Sequence, residues 1–408
     1  MRQYRAAWVL PISQPPIRDG WILTERGRIV AFGPSRPNDL PPANEIDLGD
    51  VALLPGLVNA HTHLELSWMK GRLRATDDFP GWIREVIALQ RKGSGDAAVE
   101  ETAIRSAIAE ARATGTALIG DIANTPASMA PLLAAGGSAV VFHELIGFKP
   151  ERAKAVMDAA LARARTPLGA DDVQLALAAH APYSVSPALF QAIRASMGGE
   201  SSARCSVHLG ESAAEDEFLR DGTGPWKDLL QDVGSWDPSW EPPHCDPVEY
   251  LDRLGFLDGR TLVVHGVQFG ERELSRLAAT GATLVTCPRG NRLTGAGSPP
   301  IADFYESNVP VAIGTDSLAS VPDLNLFNEL AELRRLAPHV PAARLLKSAT
   351  LVGARALGFE SDYGSIEAGK RASFVAVTLP AGVIDVAEYL VNGIAPEDIS
   401  LFHGADAQ

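Results

Sequence analysis

Short apolar runs recur along the chain in two different rhythms. Over residues 1–55 the runs AAWVLPI, GWILTE, GRIVAFG and VALLPG alternate closely with glycine and proline. That punctuation predicts small antiparallel strands. Near the C-terminus GSIEAGKRASFVAV and VAEYLVNG read the same way, as strands around turns. The two ends are therefore expected to form one small β-sandwich module, residues 1–55 plus 357–408, with residues 56–356 inserted between them.

The middle follows a longer rhythm. β-rich runs appear at GLVNAHTH (56–63), ALIGDI (117–122), SAVVFHELIG (138–147) and VQLALAAH (173–180). They continue at CSVHLGE (205–211), TLVVHGV (261–267), ATLVTCP (282–288) and PVAIGTDS (310–317). Stretches such as AAVEETAIRSAIAEARATG lie between them, apolar at helical spacing and closed by glycine. Strand–helix alternation implies right-handed βαβ units and a parallel sheet. Eight such runs suit an α/β architecture of the (β/α)8 TIM-barrel type. The segment 219–247, with Trp226, Trp236 and Trp240 among Gly, Pro and Asp, reads as a loop excursion after the fifth strand. It is either a lid or a surface loop pinned by its aromatics.

Composition narrows the function. The chain has 408 residues, 46% hydrophobic and 21% charged, which is globular and ample for a barrel plus a small module. A net charge of −14 argues against nucleic acid or anionic lipid as partner and leaves a small molecule as the expected one. A homodimer is compatible with the sequence. Cys205, Cys245 and Cys287 form no CxxC pair, which speaks against a disulfide framework or a thiolate zinc site and for a reducing cytoplasm. The N-terminus does not read as a signal peptide, and no apolar run reaches the ~18 residues a membrane helix requires.

Polar residues then stand out at the C-terminal ends of the apolar runs: His61 and His63, Asp121, His143, His180, His208, His265 and Asp316. Catalytic groups of a barrel collect at that end. One buried histidine is explained by a hydrogen bond in the core; the same placement on several strands is not explained by packing. His61 and His63 lie two apart, so both imidazoles can face one ion from one strand. His208 can add a third from across the barrel. Asp316, after a run of apolar and small residues, is costly to bury unless paired or metal-bound. Three neutral nitrogens and one carboxylate suit one divalent ion, Zn²⁺ first and Fe²⁺ second, better than Mg²⁺ or Ca²⁺. Glu211, just past His208, can handle protons, or it can simply sit at a helix N-terminus favoured by the dipole.

The motifs PGLVNAHTHLE, HAPYSVS, HLGES, VVHG, CPRGN and GTDSLAS, with GSIEAGKRASFVAV near the end, resemble the amidohydrolase superfamily over nearly the whole chain. The resemblance implies that His61, His63, His208 and Asp316 are metal ligands. It implies that Glu211 is a proton shuttle, that His265 orients the attacking hydroxide with Asp316, and that His180 contacts substrate. The fourth run ends in His180 and carries no lysine, unlike the two-metal branch with its bridging carboxylated lysine. Lys149 lies beyond the third strand. One metal is therefore implied. The motifs are similar to those of S-adenosylhomocysteine, aminodeoxyfutalosine and guanine deaminases and of triazine chlorohydrolases, and HLGES followed by Glu215 leans toward the aminodeoxyfutalosine type. Two departures are visible. DFPGW lacks the carboxylate that often precedes Trp82 to hold ribose hydroxyls, so Asp77, Asp78 or Glu65 would have to replace it. ASF at 372–374 stands where the family usually has an aspartate.

The expected reaction is hydrolytic deamination of an aromatic exocyclic amine with release of ammonia. Glu65, Trp82 and Arg289 are further candidates for substrate contact, as is Asn291. Arg289 equally reads as a salt-bridge partner, and Trp82, Phe142 and the tryptophans of 219–247 as packing. Chloride removal from a triazine-type ring, or opening of a cyclic amide, would use the same ligands. A catalytically silent binding protein predicts a missing ligand, and all four are present. The cytidine-deaminase fold uses PCxxC cysteines that this chain lacks.

Overall fold

The computed structural model describes residues 1–35, 42–164, 172–198 and 203–404. Both chain ends form one sheet. β1 (Arg2–Val9), β2 (Ile17–Glu25), β3 (Arg28–Gly33), β4 (Asn44–Asp47) and β5 (Val51–Pro55) come from the N-terminal stretch. β14 (Ser373–Thr378) and β15 (Ile399–His403) come from the C-terminal one. The order is β15-β14-β5-β1-β2-β3, with β4 also on β1. Tyr4, Ile22, Leu53, Ile366 and Phe374 form the buried cluster of this module.

VAEYLVNG departs from the expected strand. Val386–Leu390 is a short helix whose N-cap, Asp385, accepts from the Glu388 amide at 3.0 Å. Val386 and Leu390, four apart, bury one face. The Asp-x-x-Glu start is a capping signal that overrides the β-rich composition. The partner strand of β14 is instead β15, in antiparallel register from Ser373–His403 to Val377–Ile399.

The barrel strands are β6 (Leu57–Thr62), β7 (Thr116–Ala123), β8 (Ser138–Leu145), β9 (Val173–Ala179), β10 (Cys205–Leu209), β11 (Thr261–His265), β12 (Thr283–Thr286) and β13 (Val311–Ile313). All neighbours pair in parallel, in chain order. The ring closes beyond β13, where the amides of Thr315 and Asp316 donate to the His61 carbonyl at 3.1 and 3.2 Å. Asn59 and Thr315 reinforce the seam with side-chain bonds of 2.8 and 3.2 Å. Gly314 permits this approach, since a Cβ there would sit 2.5 Å from the His61 oxygen.

Strand alternation sorts the barrel residues into two packings. Val207, Leu209, Val263 and Leu284 point outward to the helices, with Phe190 and Leu330 in the same cluster. Leu118, Val140, Phe142, Leu262, Val264 and Val285 cluster with Leu357, Phe359 and Tyr363. The chain just after the last barrel helix thus packs with the barrel interior before it turns to the small sheet. Among the described residues no helix is long and apolar enough to cross a membrane, and the three cysteines are buried and not disulfide-bonded.

Candidate metal centre and active-site pocket

Six of the polar residues at the ends of the apolar runs meet at the C-terminal mouth of the barrel. His61 lies on β6 and His63 just past it; the rings are 4.9 Å apart, edge to face. The His63 and His208 rings stack at 5.4 Å, with their Nε2 atoms 3.4 Å apart. Asp316 Oδ1 lies 3.9 Å from His61 Nε2 and 3.7 Å from His63 Nε2. His265 stacks on His208 at 5.3 Å.

Backbone geometry aims two of these groups. Val263 and Leu209 face the outer shell, and simple alternation would send His265 the same way as Val263. A φ of 81° at His265 breaks the alternation. Asp316 has a φ of 60°. Such values cost non-glycine residues energy and concentrate at functional sites.

This donor set fits a divalent cation. His61 is fully buried, and neither ring nitrogen has a hydrogen-bond partner. Orphaned nitrogens of that kind are rare in protein cores. Burial holds the His61 pKa well below the ordinary histidine value, and the neighbouring His63, His208 and His265 push further the same way. His63 is lowered well below it by burial, then by His208 and His180. Burial brings His208 down to about 4. Neutral imidazoles are the form that binds metal. Outer bonds fix the rings: His208 Nδ1 lies 2.9 Å from the His180 carbonyl, and Ser320 donates to Asp316 Oδ2 at 2.8 Å.

Glu211 and His265 face each other beside this cluster, Glu211 Oε1 lying 3.4 Å from His265 Nε2. On the far side of the ring, Asn291 Nδ2 is 2.9 Å from His265 Nδ1. With the amide donating there, Nδ1 accepts and the ring proton sits on Nε2. Burial raises the Glu211 pKa well above the carboxylate range, and the charges of Asp316, Glu215 and Glu144 add to it. Glu211 is thereby favoured as a neutral acid. Glu215 holds its loop by accepting from the Gly210 and Glu211 amides at 3.1 and 3.2 Å.

These groups open into a cavity of about 330 Å³. Its wall carries a chain of rings drawn from three segments, two of them helical. Tyr183 stacks on Trp226 at 4.1 Å, Trp226 meets Phe79 edge-on at 5.8 Å, and Phe79 stacks on Trp82 at 6.5 Å. The expected loop 219–247 is substantially helical, including the end of Ala213–Asp221 and all of Pro225–Asp232. Trp226 lies in the cavity wall, whereas Trp236 and Trp240 pin the segment from behind on Phe148 and Phe218. Phe142 is buried in the interior cluster below the mouth.

The remaining candidates divide. His180 lines the cavity, its Nδ1 held 2.6 Å from the Ser184 hydroxyl. Trp82 and Glu65 also line it, although Glu65 accepts from the Asn124 and Thr125 amides and the Thr125 hydroxyl, tying two loops together. Arg289 is corrected: it is not among the lining residues. Its guanidinium donates to both oxygens of Asp323 at 2.9 Å and lies 3.6 Å from buried Glu329, so its charge is already neutralised inside the protein. Asn291 is turned to His265 rather than to a ligand. Asp121 and His143 sit on the outward phase of β7 and β8. Asp121 accepts from the Leu64 amide and the Ser128 hydroxyl, and His143 lies 3.1 Å from Arg163. Sequence reasoning missed Glu144, which lines the cavity, and Asn124, which donates to it at 2.7 Å. Strand parity was the available signal, because Glu144 shares the phase of Val140 and Phe142.

The amidohydrolase family model matches residues 52–397, and the chain belongs to that family. An aminodeoxyfutalosine deaminase of Deinococcus radiodurans is 34% identical over 331 residues, 78% of this chain and 76% of its own length. A Helicobacter pylori aminofutalosine deaminase, solved with methylthio-coformycin, superposes with a TM-score of 0.85 at 26% identity, covering 99% of each chain. A Xanthomonas campestris adenosine deaminase with bound zinc superposes at 0.80 with 28% identity, covering 98% of this chain and 91% of its own.

Proposed function

We propose that this protein is a hydrolytic deaminase of an aminopurine nucleoside, and that His61, His63, His208 and Asp316 hold one divalent ion, Zn²⁺ before Fe²⁺. One observation carries the reading: four metal-type donors converge around the orphaned nitrogens of His61, with Glu211 and an oriented His265 beside them at the floor of an aromatic-walled cavity. A divalent ion held there supplies a water acidic enough to attack at neutral pH.

The chain's own residues do the rest. The aromatic wall holds a planar ring. Glu211, as the neutral acid, gives its proton to the ring nitrogen next to the amine-bearing carbon and makes that carbon electrophilic. Asp316 and His265 face the attacking water and orient it. Glu211 recovers a proton from that water and passes it to the leaving amine. Overall one water enters, a carbon–oxygen bond replaces the carbon–nitrogen bond, and ammonia leaves.

Besides the aromatic rings the cavity is lined by Ile83, Val86, Ile146, Phe148 and Val233, and by Lys149 and Arg152. Neither cation pairs with a carboxylate among the described residues. In a chain of net charge −14, two such cations at one mouth favour a nucleoside whose apolar extension ends in a carboxylate. That is the aminodeoxyfutalosine type, and it is favoured over an uncharged chlorotriazine. The cytoplasm is the proposed compartment.

The test is ammonia release by metal-replete protein from aminodeoxyfutalosine, S-adenosylhomocysteine, adenosine, guanine, cytosine and aminotriazines. The expected order puts the carboxylate-bearing nucleosides first. Silence across the panel, with one metal per chain present, would replace deamination with dechlorination or cyclic amide hydrolysis.

A further inference from the structure

Among the described residues, Glu65 and Glu144 are the cavity carboxylates that the chemistry above leaves without a task, and Glu65 is taken up by its loop contacts. The Glu144 side chain is only 5% exposed. Asn124 holds one oxygen at 2.7 Å, and the other, Oε1, is buried with no hydrogen-bond partner. That free oxygen lies 3.4 Å from His208 Nδ1, but the ring's hydrogen bond is already directed to the His180 carbonyl at 2.9 Å. No Lys or Arg pairs with Glu144 among the described residues. A buried carboxylate with an idle oxygen is costly unless a donor arrives.

His180 stands beside it. Acceptor and imidazole atoms of Glu144, His180 and His208 all lie within 4.8 Å of one another. His180 Nδ1 is taken by Ser184, which leaves Nε2 for the cavity. Glu144 and His180 thus offer an acceptor next to a second polar atom, one step outward from the metal donors. The other carboxylates that could hold a sugar are occupied or elsewhere. Glu65 is saturated by the loop it ties, and Asp78 caps the helix Phe79–Lys92 by accepting from the Gly81 amide at 3.0 Å.

We infer that Glu144, fixed by Asn124 and flanked by His180, accepts hydrogen bonds from the sugar hydroxyls of the nucleoside and so selects ribosides over deoxyribosides. The inference rests on the nucleoside reading above and names the residue that reads the sugar. Asn124 acts through Glu144 as a positioning residue.

The experiment compares 5′-methylthioadenosine with its 2′-deoxy and 3′-deoxy forms, by calorimetric binding and by ammonia release, on metal-replete wild type, Glu144→Gln and Asn124→Ala. Wild type is expected to bind the riboside about 10- to 100-fold more tightly than at least one deoxy form. Glu144→Gln should shrink that ratio to below about threefold with metal content unchanged, and Asn124→Ala should shrink it partway. Equal binding of riboside and deoxy forms by wild type overturns the assignment. So does an undiminished ratio in a folded Glu144→Gln, and so does loss of metal in that variant, which would make Glu144 a support for His208 instead. Ribose-dependent binding without ammonia release from any substrate would sink deamination while leaving Glu144 as the sugar contact.

Discussion

The two ends of the barrel interior are built by the same eight strands and solve opposite problems. At the lower end Leu118, Val140, Leu262 and Val264 meet Leu357 and Phe359, and the Tyr363 hydroxyl among them is bonded, 2.8 Å from Ser138. At the mouth the chain gathers five imidazoles and three carboxylates in one cluster, sets two of them, His265 and Asp316, on positive φ, and leaves both His61 nitrogens idle. One end stores stability and the other spends it on a pre-shaped site. Substitutions at the two ends should therefore separate activity from stability.

The largest effect is expected from Asp316→Ala. Turnover should fall below detection, and the metal measured by atomic absorption should fall with it. Because the change removes a carboxylate that burial pushes up to about 6, the metal-free variant should melt no lower than metal-free wild type. Added Zn²⁺ should raise the melting temperature of wild type and not of the variant. A variant that keeps its metal would remove Asp316 from the ligand set.

Glu211→Gln should lower kcat by about 10²- to 10⁴-fold while metal content stays at the wild-type level. Full activity would end the proton-shuttle assignment.

At the other end, Leu357→Ala should cost about 2–5 kcal/mol in denaturant unfolding, because it opens a cavity in the interior cluster. Its kcat per folded, metal-loaded molecule should stay within about twofold of wild type. A large kcat change would show the two ends to be coupled rather than separate.

The smallest effect concerns Asp121, on the outward phase of β7. Burial raises its carboxyl to about 8, opposed by Ser128 and the Leu64 amide. A raised folded-state pKa gives stability that is complete below the unfolded value near 3.8 and is lost as pH rises through about 8. Relative to Asp121→Asn, wild type should therefore gain melting temperature as pH falls from about 8 toward 4. A flat difference across that window would show that Asp121 is ionised in the fold.

Much of this contrast was legible in the chain, because short, nearly continuous apolar runs bounded by turn residues mark strands buried on both faces. All eight barrel strands fall on the runs read as strands, and His61, His63, His208, His265 and Asp316 do share one mouth. The failures have specific causes. VAEYLVNG obeyed its cap rather than its β-rich composition. Arg289 looked like a ligand contact because its neutralising partners, Asp323 and Glu329, are 34 and 40 residues away. His143 was noticed because histidine suggests chemistry, while Glu144 beside it carried the inward phase.

The sequence by itself determined the strand–helix rhythm, the donor types and their recurrence at strand ends, since these follow from burial and side-chain chemistry along a single chain. Only the tertiary structure decided which polar residues point inward, how His265 turns back through a positive φ, and that Trp226, Lys149 and Arg152 line the cavity. Those outcomes depend on distances between segments far apart in the chain, and such distances are set by barrel closure and packing rather than by any local pattern.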